Sequence, residues 1–135
     1  MKLMISRDPI DPSAASNMIS RDRAGSIVYH YAVVKEQKGH GGVTTGIEYG
    51  AAGNVEAELG EIAAELREKW RLEDVLLIRR VGCLGIGDII SLVAASSPNS
   101  EDAFESCRHG IARMKKMTTI RKIEIFCRQS EEAGG

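Results

Sequence analysis

The sequence predicts an α+β fold in which helices cover a largely antiparallel sheet, with the element order βαββαββαβ. Two long segments carry apolar residues at steps of three and four, which is typical of amphipathic helices. Short runs rich in Val, Ile and Tyr, bounded by Gly, Pro, Asn and Ser, are typical of strands. Because several strands follow one another without a helix between them, an α+β arrangement is favoured. Residues 1–127 are predicted to form a single domain.

The N-terminal part of the chain is predicted to hold three strands and a short helix. Asp8–Pro12 is a turn cluster, after which Asp11 or Ser13 can cap a helix that runs to about Ile19. Three glycines make Lys35–Gly42 unsuitable for regular structure, so this segment is predicted to be a mobile loop. The three strands are Lys2–Ile5, Ser26–Val34 and Val43–Tyr49.

The segment from Asn54 to Trp70 is the clearest helix. Asn54 can cap its first turn, acidic residues follow the cap, and basic residues occupy the last turn. The apolar positions recur at helical spacing at Val55, Leu59, Ile62, Leu66 and Trp70. This pattern predicts a helix with one buried face, and Trp70 is expected to anchor the core.

Two adjacent strands are predicted after this helix, at Val75–Val81 and Asp88–Ala95. The glycines between them suit a turn that needs unusual backbone angles. A second long helix then begins near Pro98, which is tolerated in a first turn, and continues to about Met117. Gly110 either weakens this helix or allows it to pack closely against a neighbour.

The chain ends in a strand and a tail. Ile120–Cys127 alternates, with Ile123 on one face and Lys122 and Glu124 on the other. Residues 128–135 are polar and are predicted to form a flexible tail.

Composition and charge narrow the class of function. The net charge of −1 and the sequence pI of about 6.3 argue against a general nucleic-acid binder, which carries a basic excess. No apolar run approaches the ~20 residues of a membrane span, and the N-terminus lacks the apolar core of a signal peptide. We therefore expect a cytoplasmic protein. The three cysteines and three histidines lack the spacing of a metal site or a disulfide framework, so neither is expected.

The best candidate for a functional site is the basic stretch Arg113–Lys122, where the second long helix gives way to the last strand. It carries five cations, Arg113, Lys115, Lys116, Arg121 and Lys122, with no acid between Glu105 and Glu124. Such a stretch creates a local cationic field on a nearly neutral chain. Alternatively, basic residues there only stabilise the negative end of the helix. Nucleic-acid binding is a weaker alternative because the stretch lacks aromatic stacking partners.

The glycine-rich segment Gly39–Gly42 raises a second possibility, a phosphate-binding loop. Phosphate loops run from a strand into a helix, whereas this segment joins two predicted strands. A hairpin that folds over a ligand is the preferred interpretation.

Several stretches occur together in an order that is shared with one known family. They span roughly Gly25 to Glu124 and comprise Ile47-Glu-Tyr49, the helix ending in Trp70, Leu77-Ile-Arg-Arg-Val-Gly-Cys-Leu-Gly-Ile-Gly-Asp88, Ala103-Phe-Glu105, and two lysines seven apart, Lys115 and Lys122. In these features the chain resembles the large, catalytic subunit of molybdopterin synthase.

The resemblance implies an α/β hammerhead fold and a homodimer of large subunits. A small ubiquitin-like subunit docks at each end, giving a heterotetramer, and inserts a C-terminal Gly-Gly thiocarboxylate into a pocket of the large subunit. The implied activity is a double sulfur transfer to cyclic pyranopterin monophosphate, which creates the dithiolene of molybdopterin. The resemblance implies no permanently bound cofactor, because the pterin is a substrate.

By resemblance, Lys115 is the principal active-site lysine, beside the terminal glycine of the partner, and Lys122 helps to position and stabilise the pterin intermediate. Fixed ammonium groups suit this chemistry because the thiocarboxylate, the phosphate and the developing oxyanion are all negative. The substrate-binding positions implied by the family are Val33, Val34, Lys35, Asn99, Ser100, Ile123 and Glu124, with Arg79 and Arg121 as further candidates.

The chain departs from the family pattern at several of these positions. Lys35 stands where the family has an arginine, so a positive charge is kept and a bidentate fork is lost. Asn99 and Ser100 stand where the family has a His-Arg pair. Arg79 and Arg121 are hypothesised to restore part of the missing charge. These departures motivate an alternative, a non-catalytic relative that keeps dimerisation and small-subunit docking but not pterin conversion.

The chain ends in Gly134-Gly135, which is similar to the tail of the small partner subunit. A chance ending is preferred over a tail that inserts into a pocket or carries a thiocarboxylate.

Overall fold

A computed structural model describes residues 1–36, 38–39 and 42–127, with the backbone alone for 38–39, 42–44 and 124–127. The described part contains three helices and eight strands. The helices are α1 (Pro12–Ala15), α2 (Val55–Lys69) and α3 (Ser100–Lys115). The strands are β1 (Lys2–Ser6), β2 (Ser26–Val33), β3 (Lys38–Gly39), β4 (Gly42–Ala51), β5 (Asp74–Arg80), β6 (Gly82–Gly85), β7 (Ile89–Ser97) and β8 (Ile120–Cys127).

The first sheet has the order β1-β5-β7-β2, and only the β1–β5 pair of these is parallel. Its strand β5 is buried along its whole length because both of its faces are covered; the run from Val75 to Ile78 is apolar, and charged residues stand at both ends of the strand. On one face Val75, Leu77 and Val93 pack against α2 and α3. On the other face Leu76 and Leu92 pack against the segment around α1. The main core therefore lies between this sheet and the two long helices.

The second sheet joins β3, β4 and β6, and β8 pairs with the other side of β4. All its pairings are antiparallel, and the β4–β8 register places Tyr49 opposite Lys122. Ile47, Tyr49 and Leu84 form a small apolar cluster with Val34, which comes from the end of the first sheet. The two sheets thus meet next to the C-terminal end of α3.

Helix α3 lies close to the first sheet because Gly110 has no side chain. A methyl group there would come within 2.9 Å of Val93 Cγ1 and 3.2 Å of Leu66 Cδ1. Of the two expectations for Gly110, the structure therefore supports close packing. Asn99 caps the N-terminus of α3, since its side-chain oxygen accepts a hydrogen bond from the Asp102 amide at 2.8 Å.

The predicted α+β class and the order βαββαββαβ are confirmed, with two short strands added. Lys38–Gly39 pairs with β4 although Lys35–Gly42 was expected to lack regular structure, and Gly82–Gly85 forms β6 within the expected turn region. The positive φ angles of Gly82 and Gly87, 109° and 87°, supply the bends around β6. The predicted sheet is in fact two sheets, and α1 ends at Ala15 rather than near Ile19.

The described residues include no helix that is both long enough and apolar enough to cross a membrane. The expected tail at 128–135, with Gly134-Gly135, lies outside the described residues.

Candidate active site

A cleft of about 620 Å³ opens where the two sheets and the end of α3 meet. Strands β2, β5 and β7 supply one wall, β4 and β8 supply another, and the end of α3 with the following turn closes a third. The lining residues are His30, Tyr31, Ala32, Val33, Tyr49, Arg79, Ile90, Ser91, Met114, Lys115, Met117, Ile120 and Lys122. This lining combines three positive side chains with apolar walls, which is an arrangement suited to an anionic organic ligand.

Lys115 and Lys122 come from different elements and line the same cleft. Lys115 is the last residue of α3, and Lys122 is the third residue of β8, where it lies opposite Tyr49. Both side chains are exposed at the mouth of the cleft. The predicted convergence of a helix terminus and the following strand on one pocket is therefore present.

The turn between the two lysines is held by a carboxylate from α2. Glu58 Oε2 accepts a hydrogen bond from the Thr118 amide, and Oε1 accepts one from the Thr119 amide, both at 3.0 Å. The Thr119 hydroxyl donates a further bond to Oε1 at 2.6 Å. The Ala52 amide donates to the Thr119 carbonyl at 2.7 Å, so the turn is also tied to β4.

Partial burial acts to raise the pKa of Glu58, but the hydrogen bonds from Thr119 and Thr118 outweigh it and lower that pKa below its usual 4.5. The carboxylate is therefore charged at neutral pH. No local pattern in the sequence indicates this role of Glu58, because the residue lies 60 positions from Thr118 and only the fold brings the two together.

Arg79 lies deeper in the cleft than the lysines and is only 6% exposed. Its Cζ atom lies 4.4 Å from the centre of the Tyr49 ring, which is a cation–π contact. Burial lowers the pKa of Arg79, while Tyr49 acts in the opposite direction. A guanidinium stays charged at neutral pH despite such a shift, so the floor of the cleft is positive.

His30 was expected to be one of three scattered histidines, and the structure places it in the cleft. Burial and then the charge of Lys115 lower the pKa of His30 below 6.5, so its imidazole is neutral near pH 7. The signal in the sequence was the two-residue period of β2, which puts His30 on the same face as the core residue Val28. Among the described residues, no three His, Cys, Asp or Glu side chains lie grouped as a metal site would require.

The other candidate residues near the cleft have different surroundings. Val33 lines the cleft, and Val34 is buried in the small cluster behind it. Lys35, Arg121 and Ile123 are exposed and are not among the lining residues. The side chain of Glu124 lies outside the described part of the structure.

Asn99 and Ser100 lie far from the lysines in the same chain. They begin α3 and Lys115 ends it; because the helix is 16 residues long, these sites are about 22 Å apart along its axis. One chain therefore cannot bring Asn99 and Ser100 into its own cleft.

The remaining cations of the basic stretch have local partners or lie elsewhere. Arg113 Nη1 forms an ion pair with Glu65 Oε1 at 2.7 Å, and His109 contacts the same carboxylate. Lys116 is the C-cap residue of α3 and is exposed. The helix-end interpretation therefore fits Lys116, whereas Lys115 and Lys122 line the cleft.

Fold and cleft together define an α+β protein with a cationic pocket between two sheets. The family model described as MoaE protein matches residues 5–117. The chain is 31% identical over 123 residues to a molybdopterin synthase catalytic subunit of Bacillus subtilis (strain 168), covering 90% of this chain and 78% of that one. It is 32% identical over 120 residues to one from Staphylococcus aureus (strain Mu50), covering 88% of this chain and 80% of that one.

The fold is shared with solved structures. The X-ray crystal structure of molybdopterin synthase from Staphylococcus aureus superposes with a TM-score of 0.83 at 31% identity, covering 91% of this chain and 90% of that one. A protein–protein complex of subunits 1 and 2 of molybdopterin-converting factor from Helicobacter pylori gives a TM-score of 0.70 at 15% identity, covering 94% and 90%. The chain belongs to the MoaE protein family, whose curated relatives are catalytic subunits of molybdopterin synthase.

Proposed function

We propose that the cleft performs the sulfur transfer of a molybdopterin synthase catalytic subunit. In this reaction the thiocarboxylated C-terminus of a small ubiquitin-like subunit gives its sulfur to cyclic pyranopterin monophosphate, and two transfers create the dithiolene. The observation that carries the proposal is the convergence of Lys115 and Lys122 on one cleft in a chain of this family.

The charges of the cleft suit the charges of the reactants. The thiocarboxylate and the cyclic phosphate are both negative, and negative charge develops as sulfur attacks the side chain of the precursor. Ammonium groups fixed around the reacting atoms stabilise that charge without reorganising. We assign Lys115 to the terminal glycine of the partner and to proton transfer, and Lys122 to the pterin intermediate.

The partner is proposed from the shape of the site and from a relative. A Gly-Gly tail without side chains occupies little volume, which suits a cleft of about 620 Å³ that must also hold a pterin. The structure from Helicobacter pylori, which has this fold, is of a complex between subunits 1 and 2 of its molybdopterin-converting factor. Two copies of the present chain with two small subunits would form a heterotetramer.

The test is to incubate the chain with thiocarboxylated small subunit and the cyclic precursor and to measure molybdopterin by mass spectrometry. We expect product from the wild type. For Lys115→Ala we expect kcat to fall by about 10²–10³-fold, since one charge-stabilising group is lost. Lys116→Ala is the matched control, because Lys116 is the adjacent exposed lysine and does not line the cleft.

Two results would contradict the proposal. Normal turnover by Lys115→Ala would remove the assigned role of Lys115. A wild-type chain that binds the small subunit but makes no product would instead support the non-catalytic relative.

A further inference from the structure

We propose that Arg79, with Ser91 and His30 on the same sheet face, forms a subsite for the phosphate group of the substrate at the floor of the cleft. The inference rests on the proposed function and names the group that neutralises the phosphate of the cyclic pterin. It is carried by the surroundings of Arg79, by the register of the strands and by unpaired polar atoms in the cleft.

The first observation is a buried cation without an anion. Arg79 is 6% exposed, and its Nε atom has no hydrogen-bond acceptor among the described residues. The ion pairs formed within the described part of the chain involve other groups, including Arg80, whose Nη1 lies 3.9 Å from Asp88 Oδ2. Burying an uncompensated charge opposes folding, so its presence in an open cleft points to an anionic ligand.

The second observation is that the guanidinium is already held in place. Arg79 Cζ lies over the Tyr49 ring at 4.4 Å from its centre, a contact that restrains the guanidinium. A planar fork held this way can offer parallel N–H donors to two oxygens of one phosphate. Lysines at the mouth of the cleft act as point charges, so only Arg79 supplies this geometry among the residues that line it.

The third observation is the set of polar neighbours on the same sheet face. Ser91 lies directly opposite Arg79 in the β5–β7 register and is 4% exposed. His30 lies on β2, opposite Val93 and therefore one same-face position away from Ser91. Its Nδ1 atom is buried and has no partner in the described structure. Neighbouring strands are about 4.8 Å apart, so Arg79 and His30 stand on strands about 10 Å apart with Ser91 on the strand between them, and the long arginine side chain can span part of that distance toward one small anion.

The chemistry of these donors favours a phosphate over a carboxylate. The charge of a phosphodiester lies on the two non-bridging oxygens of a tetrahedral group, and its two ester oxygens add weaker acceptors, whereas a carboxylate presents two oxygens in one plane. Polar groups from three strands match the three-dimensional set of acceptors, and the guanidinium takes the charge. The carboxylate end of a peptide tail is the competing ligand, and the experiment separates the two.

The test measures binding of inorganic phosphate and dimethyl phosphate by calorimetry and by thermal shift, on the full chain. We expect Arg79→Met to weaken both at least tenfold and Arg79→Lys to weaken both about three- to tenfold, because the charge remains and the fork is lost. Arg108→Met is the control, since Arg108 is an exposed arginine of α3 outside the cleft lining. It should bind both probes like the wild type.

A second readout separates ligand binding from a structural role. Removing a buried unpaired charge should leave the Tm of ligand-free Arg79→Met equal to or above that of the wild type. A Tm lower by several degrees would identify a structural residue and overturn the subsite. Should Arg79→Met not fold, Arg79→Lys decides, because unchanged phosphate affinity in that variant also overturns it.

The remaining arms test the identity of the anion and the link to turnover. Glycylglycine at equal ionic strength should bind the wild type and Arg79→Met alike. If glycylglycine binding depends on Arg79 and phosphate binding does not, the phosphate assignment is wrong. In turnover assays Arg79→Met should raise KM for the cyclic precursor more than it lowers kcat.

Arg79-dependent phosphate binding without any dithiolene from the wild type would refute the proposed function alone. If the wild type makes dithiolene but its phosphate affinity is unchanged by substitution of Arg79, only the subsite is refuted.

Discussion

At the scale of single residues, burial decides which chemistry a side chain can perform. Lys115 and Lys122 are exposed at the mouth of the cleft, whereas Arg79 is buried at its floor. The cysteines show the same contrast among the described side chains. Cys83 is exposed, while Cys107 is 2% exposed between α3 and the first sheet. Burial raises the pKa of Cys107 to about 11.

This contrast predicts different thiol reactivity. At pH 8 a thiol with so high a pKa is almost wholly protonated, and the thiolate is the reactive form. We expect iodoacetamide to modify Cys107 at least about 100-fold more slowly than Cys83 in the native protein. Peptide-resolved mass spectrometry over a time course measures both rates. In urea the two rates should become similar, and equal rates in the folded protein would contradict the burial of Cys107.

At the scale of elements, the connection between α3 and β8 determines where the two lysines point. Glu58 at the start of α2 accepts hydrogen bonds from the Thr118 and Thr119 amides of that connection, and Gly110 lets α3 lie close to the sheet. The helix end and the strand are therefore fixed relative to each other by contacts from a third element.

Replacing Glu58 predicts a loss of stability that depends on pH. Because the folded pKa of Glu58 is lowered, its contribution is present above the unfolded value of 4.5 and is lost as the pH falls through the folded value. We expect Glu58→Gln to cost about 1–2 kcal/mol at pH 7, since a charged acceptor of several hydrogen bonds is lost. The difference in Tm from the wild type should narrow below pH 4.

The control for this measurement is Glu61→Gln. Glu61 lies almost one turn further along α2, is exposed, and carries the same formal charge. Thermal unfolding at several pH values should show little effect of this change. An equal Tm difference for Glu58→Gln at every pH would show that the charge of Glu58 is not what stabilises the turn.

At the scale of the whole molecule, α3 separates two groups of family-implied site residues. Asn99 and Ser100 lie at its N-terminus and Lys115 at its C-terminus. If all of them serve one site, a second copy must supply Asn99 and Ser100 to the cleft of the first. A symmetric dimer would then contain two such shared sites.

Mixed dimers test this arrangement. We expect Lys115→Ala and Ser100→Glu each to be nearly inactive alone, because the first removes a cation and the second places a negative charge beside an anionic substrate. After unfolding and refolding together, half of the dimers would be hybrids with one intact site. Turnover should then recover to about a quarter of the wild-type value. Light scattering would report the dimer, and no recovery in a mixture shown to contain hybrids would contradict a shared site.

The residue pattern by itself determined the local elements and the family. Apolar periodicity located α2 and α3 because a buried helix face imposes a 3.6-residue spacing, and the two lysines seven apart were visible as a motif. Only the tertiary structure decided that His30 lines the cleft, that Arg79, already a candidate from the sequence, is buried in it, and that Glu58 holds the turn between the two lysines. Strand register places Arg79 and His30 on the same face of the first sheet, with β7 between their strands, and Glu58 reaches residues 60 positions away. Contacts between distant segments depend on the packing of the whole chain, which no local spacing encodes.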